Sequence, residues 1–193
     1  MKKIISLFER DYSPGTNNQV VNRVIPGAEW IQQGEGVATQ KLDGTCCLMR
    51  GGVLYKRYEV KPGRTPPAGF EPACPVDSVT GKQQGWMKVD TDNPSDKWHV
   101  EAYKEFHDHH RGYLPNGTYE LCGPKIQGNP EGLEKHTLMG HAHAPTFQDC
   151  PTDFVYLKEW LKTQDIEGIV WHHPDGRMVK IKKKDFGLRR KPE

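Results

Sequence analysis

Twenty glycines and fifteen prolines punctuate the 193 residues, and a backbone that turns so often is expected to build mostly strands. The clearest case is Gly51-Gly52, two residues between the runs Thr45–Arg50 and Val53–Val60, which predicts a tight hairpin. A second hairpin is expected near the C-terminus. Ile166–His172 is apolar and β-branched, His173-Pro174-Asp175-Gly176 is a turn, and Arg177–Lys182 is the return strand. If His172 faces Arg177, Glu167 faces Lys182 and Ile169 faces Lys180. Alternation then gathers Glu167, Lys180 and Lys182 on one face, with Val179 and Ile181 on the other. A carboxylate in so apolar a strand needs a partner.

Elsewhere, Val37–Gln40 reads as a strand ending at Lys41, Thr118–Cys122 as a strand carrying Glu120, and Thr137–Ala142 as another. Residues 61–94, rich in Pro, Gly and Asp, read as a long loop with a short strand at 85–89. Asn93 and Pro94 open a helix whose Trp98, Ala102 and Phe106 share a buried face. Thr152 or Asp153 opens a second, with Phe154, Leu157 and Leu161 on one side. Residues 1–36 supply short strands and a loop beside Lys41. The length suits a single domain spanning residues 1–193.

No apolar run approaches a membrane span, and the start, Met1 to Arg10, is too soon charged for a signal peptide, so a soluble cytoplasmic protein is expected. The net charge of +2 gives no global basic field. Eight of the 27 Lys and Arg nevertheless fall from Arg177 onward, which suggests a polyanion partner, although Arg189-Arg190-Lys191 alone reads as a solvated end. Five cysteines, without a C-x-x-C pair, suit a reducing compartment and argue against a zinc ribbon. The histidines at 107, 109, 110, 141 and 143 lack matching ligand spacing and read as surface or structural groups.

The chemistry gathers at Gln40-Lys41-Leu42-Asp43-Gly44-Thr45. A lysine between a strand and a Gly turn is a candidate nucleophile, although a free pKa of about 10.4 leaves little neutral amine at pH 7. Neighbouring cations or a metal would favour the neutral form, and Lys180 and Lys182 are the available cations.

The order K-x-D-G, Arg57 on a hairpin strand, Glu120-Leu121-Cys122-Gly123, Glu167-Gly168-Ile169-Val170 and Val179-Lys180-Ile181-Lys182 resembles the covalent nucleotidyltransferases, the ATP-dependent ligases and capping enzymes. Residues 41–47, 127–133 and 167–172 are similar to the small ATP-dependent 5′-to-3′ RNA ligase family, whose vertebrate member seals 5′-phosphate and 3′-hydroxyl RNA ends. The resemblance implies an α/β (α+β) nucleotidyltransferase (adenylation) domain. Two mainly antiparallel sheets pack with flanking helices and hold the nucleotide in a cleft between them, with no C-terminal OB domain. It implies that Lys41 takes AMP from ATP, that Arg57 contacts ribose or the RNA end, and that Glu120 binds ribose. Glu167 would hold Mg²⁺ or Mn²⁺, usually through water, and Lys180 and Lys182 would bind the α-phosphate. Gln40 occupies the position that reads the adenine edge, where the family more often has Glu. An aromatic stacking on adenine is expected near residues 137–141; none is present, and His136 or His141 is the substitute.

The implied partners are RNA ends. The alternatives are DNA nick sealing and a non-catalytic nucleotide- or RNA-binding module. A degenerate module is expected to have lost a motif lysine or carboxylate, and here none is missing. The chain ends soon after the last motif, which disfavours guanylyl transfer.

Overall fold

The computed structural model describes residues 4–113 and 115–191; the basic start Met1-Lys2-Lys3 lies outside them. The chain forms two compact units, one from Asp43 to His143 and the other from Ile4–Leu42 together with the residues from Ala144 onward. Each has its own sheet and apolar core. The fold is α+β, as expected, with one mixed and one antiparallel large sheet and, among the described residues, two α-helices. Among the described residues no helix is long and apolar enough to cross a membrane.

The discontinuous unit starts with β1 (Ile5–Ser6), β2 (Phe8–Arg10), β3 (Val20–Val24) and β4 (Val37–Lys41). The continuous unit follows with β5 (Thr45–Arg50), β6 (Val53–Val60), β7 (Glu71–Pro72), β8 (Gln83–Lys88), helix α1 (Lys97–His109), β9 (Gly117–Cys122) and β10 (Thr137–Gly140). The chain then returns to the first unit through β11 (Thr146–Phe147), helix α2 (Phe154–Lys162), β12 (Gly168–His172) and β13 (Met178–Lys182).

In the continuous unit, six strands run in the order β10-β9-β5-β6-β8-β7, all antiparallel. The β5–β6 hairpin turns on Gly51 and Gly52, both at positive φ (55° and 75°), a backbone that glycine adopts without strain. The Asn93 side chain accepts from the Ser95 amide, and a short 3-10 turn at Pro94–Asp96 leads into α1. Ala102 on α1 is fully buried against Cys47, Tyr119, Leu121 and Leu138, so α1 covers that face of the sheet. The stretch 61–94 is largely irregular, but β7 and β8 extend the sheet through it.

In the discontinuous unit the sheet order is β1-β13-β12-β4-β11, with β1 parallel to β13 and the remaining pairs antiparallel. The Asp153 side chain caps α2, which buries Leu157 and Leu161 against Ile169, Trp171, Val179 and Ile181.

The β12–β13 register differs from the expected one by a residue. His172 pairs with Met178, Val170 with Lys180 and Gly168 with Lys182. The turn explains the shift: the Gly176 amide donates to the His173 carbonyl at 2.9 Å, and Gly176 then takes φ +90°. That left-handed residue adds a position, so the His173 amide meets the Arg177 carbonyl at 2.9 Å and the loop proper is three residues. Asp175 fixes the same end by accepting from the Arg177 amide at 2.9 Å and from its Nε at 2.7 Å. Glu167 therefore lies before the strand and not opposite Lys182.

The basic C-terminal run is also less available than its composition implies. Lys183 is 2% exposed, and its ammonium donates to the carbonyls of Gln164 (2.8 Å) and Arg190 (2.7 Å). Arg190 is largely buried and lies 3.4 Å from Asp165, whereas Arg177 stays exposed although it is paired with Asp175. Among the described residues after Lys182, the exposed basic ones are Lys184, Arg189 and Lys191.

Candidate active site

Lys41 ends β4, and Gly168 sits between it and Lys182 in the pairing across β4, β12 and β13. Thr39, Val170 and Lys180 form the next row on the same face. A Cβ on Gly168 would fall on the Ile181 carbonyl oxygen and lie 2.7 Å from the Lys182 Cα. Only a residue without a side chain fits there, so Gly168 lets β12 lie close against β13. One Glu167 oxygen accepts from the Lys41 ammonium, and the other lies 2.6 Å from the Lys182 ammonium. Lys41 also donates to the Leu42 carbonyl at 3.3 Å.

These groups are largely shielded: Lys41 and Lys182 keep 20% of their side-chain exposure and Glu167 14%. Burial alone would raise the Glu167 pKa, but the Lys41 and Lys182 ammoniums outweigh it and hold the carboxyl below its ordinary value. Lys180 is less well compensated. Burial, then the charges of Lys182 and Lys41, push it down to about 8, and the carboxylates of Glu167 and Asp185 offset this only in part. Asp185 is already engaged elsewhere: its oxygens accept from Arg10 at 2.6 Å and from the Lys182 amide at 3.0 Å. Three lysines around one carboxylate leave a surplus of positive charge, which suits an anionic ligand such as a phosphate.

In the other unit, the Gly44 amide donates to Glu120 at 3.1 Å and the Asp43 amide to Glu131 at 3.0 Å. The approach is close: a Cβ on Gly44 would fall on the Leu121 carbonyl and lie 2.8 Å from the Cys122 Sγ. Glu120 is 8% exposed and its second oxygen lies 3.0 Å from His141 Nε2. Cys46 pairs with Glu120 across β5 and β9, and the β5–β6 register carries the row on to Arg57 and Trp86. Arg57 and Glu120 thus share the sheet face turned away from α1. Arg57 rests over the Trp86 ring at 4.9 Å and donates to Gln84 at 3.2 Å.

The residues expected at the site are therefore distributed as follows: Lys41, Glu167, Lys180 and Lys182 come together in one unit, while Arg57 and Glu120 share a face in the other. Gln40 pairs with Ile169, in the row opposite to the lysines in alternation, and its amide donates to the Pro145 carbonyl at 2.8 Å. His136 is not available to stack on adenine. It is 3% exposed, stacks on Trp98 at 4.4 Å and is bonded to Glu101 and to the Lys125 amide. Two further residues, Glu131 and Asp185, are not singled out by the sequence. Glu131 falls inside the 127–133 similarity, whereas the two-sided bonding of Asp185 has no local signature.

The family described as RNA ligase 1 matches residues 111–192, which include Glu120, Glu167, Lys180 and Lys182. RNA ligase 1 of Pongo abelii is 26% identical, with 79% of this chain and 67% of the relative covered. RNA ligase 1 of Rattus norvegicus is 27% identical and that of Danio rerio 25%, with the same shares covered. The similarity to the RNA ligase family drawn from the motifs is thus borne out.

Proposed function

We propose that this chain is an ATP-dependent RNA ligase that joins 5′-phosphate to 3′-hydroxyl RNA ends through AMP carried on Lys41. The carrying observation is the shielded lysine cluster, whose surplus positive charge calls for a phosphate. The similarity to RNA ligase 1 supports RNA as the substrate.

In the first step the Lys41 nitrogen attacks the α-phosphorus of ATP. The ammonium first gives up a proton to free its lone pair; an N–P bond then forms, the P–O bond to pyrophosphate breaks, and a second proton leaves the nitrogen. AMP then passes to the RNA 5′-phosphate and is released when the 3′-hydroxyl attacks. In the resting arrangement Glu167 accepts a hydrogen bond from Lys41, which makes it the nearest acceptor for the proton that must leave. Lys180 and Lys182 face the same side and would hold the phosphate where charge develops.

Glu167 is a single carboxylate whose oxygens already accept from ammoniums, so it would hold a divalent cation through water and not as part of a direct cage. Such a cation would supply further charge compensation at the phosphates.

The test is incubation with α-labelled ATP and Mg²⁺ or Mn²⁺, followed by a denaturing gel. Wild type should become labelled and Lys41→Ala should not. Labelling that persists in Lys41→Ala would remove Lys41 as the carrier. A 5′-phosphate RNA end should then be sealed faster than an all-DNA nick; equal rates would favour the DNA ligase alternative.

A further inference from the structure

The register of β5, β9 and β10 places Cys46, Glu120 and Met139 in one row on the sheet face turned away from α1. Two residues beyond Met139, His141 opens a 3-10 turn. One ligand atom from each of Cys46, Glu120 and His141 lies within 4.8 Å of the other two. A sulfur, a carboxylate oxygen and an imidazole nitrogen are the three donor types that zinc takes. Magnesium and calcium prefer oxygen alone, so this set discriminates against them. Bond lengths of about 2.0–2.3 Å set tetrahedral ligands roughly 3.5 Å apart, so the three atoms need an inward movement of only about 1 Å.

A second observation points to a ligand. His141 Nδ1 is buried and has no hydrogen-bond partner among the described residues. A buried imidazole nitrogen in that state costs free energy, which turning the ring to present Nδ1 to a metal would recover. His141 Nε2 meets Glu120 at 3.0 Å, so the pair is already held together. On the other side of Cys46, Arg57 is drawn onto the Trp86 ring.

We propose that Cys46, Glu120 and His141 form a zinc site with a fourth position open to water, and that zinc bound there shuts off nucleotide transfer. The second half rests on the reading of Glu120 as the ribose-binding carboxylate; the site itself does not. Binding releases the Cys46 thiol proton and replaces the Glu120–His141 hydrogen bond with bonds to the metal. The protein then cannot hold zinc and the ribose on the same carboxylate.

Cobalt(II) reports the site without any assay of activity. Added to the metal-free full chain, it should give thiolate-to-cobalt charge transfer with one equivalent bound, and zinc should displace it. Cys46→Ser should lose the band, and His141→Ala should weaken binding more than about tenfold, since even outer partners of a metal ligand are worth about 10–100-fold. Absence of the band in wild type, or its persistence in Cys46→Ser, would overturn the site. In the second arm, micromolar zinc with Mg²⁺ in excess should suppress ATP labelling of wild type and spare Cys46→Ser. Equal suppression of both would overturn the regulatory half. If wild type binds cobalt as described yet never labels, the ligase reading fails and the metal site stands.

Discussion

Lys180 is the residue whose state most constrains the site. It titrates near 8 because burial and the charges of Lys182 and Lys41 disfavour its ammonium form. Two opposite pH trends are expected. The kcat/KM for ATP, which reports the free protein, should fall as pH rises through about 8, because the phosphate-facing charge disappears. Stability should move the other way. The unfolded lysine keeps its ordinary value of 10.5, so between about 8 and 10.5 the unfolded chain binds more protons, and stability rises with pH. The full difference amounts to about 3 kcal/mol at most. Denaturant midpoints across this window should rise in wild type and stay flatter in Lys180→Gln. Identical pH profiles for the two proteins would show that Lys180 is not the titrating group.

Gly168 plays the corresponding part at the scale of elements. Its missing Cβ lets β12 approach β13, where a side chain would meet the Ile181 carbonyl and the Lys182 backbone. Gly168→Ala should therefore cost about 1–3 kcal/mol through overpacking. It should also lower ATP labelling, because Lys182 moves with β13. An unchanged denaturant midpoint would contradict the close approach. Much at this scale is legible in the sequence. Gly51-Gly52 sets the first hairpin to the residue, and Asn93-Pro94 and Asp153 mark the helix starts. The second hairpin is displaced by one position from its expected register, because the sequence does not say whether Gly176 closes a turn or adds a left-handed residue to it. That single step changes what Glu167 faces, yet the Lys41–Glu167–Lys182 association is still recoverable from the motifs. The burial of His136 against Trp98 is not legible, since it depends on a helix 38 positions earlier in the chain.

For the whole molecule, charge placement matters more than net charge. From Arg177 onward several basic residues are bonded within the fold, which leaves Lys184, Arg189 and Lys191 exposed beyond Lys182 among the described residues. If those three make the outer phosphate contacts, single-stranded RNA binding should weaken with salt with a log–log slope near about −2, from about −0.7 per contact. Fluorescence anisotropy between low and moderate salt measures it. A slope steeper than about −5 would require a basic surface elsewhere.

Lys183 and Lys184 are neighbours in the chain with opposite chemical fates. An amine-reactive acylating reagent needs a free lone pair and an open path, and the Lys183 nitrogen has neither while Gln164 and Arg190 hold it. Peptide mapping after brief acylation should find Lys184 modified and Lys183 untouched. As denaturant is raised, Lys183 should become reactive only when the segment around it opens. The adjacent pair is thus a built-in reporter, one residue calibrating the reagent while the other times the loss of structure; equal modification of both in the native protein would contradict the buried ammonium.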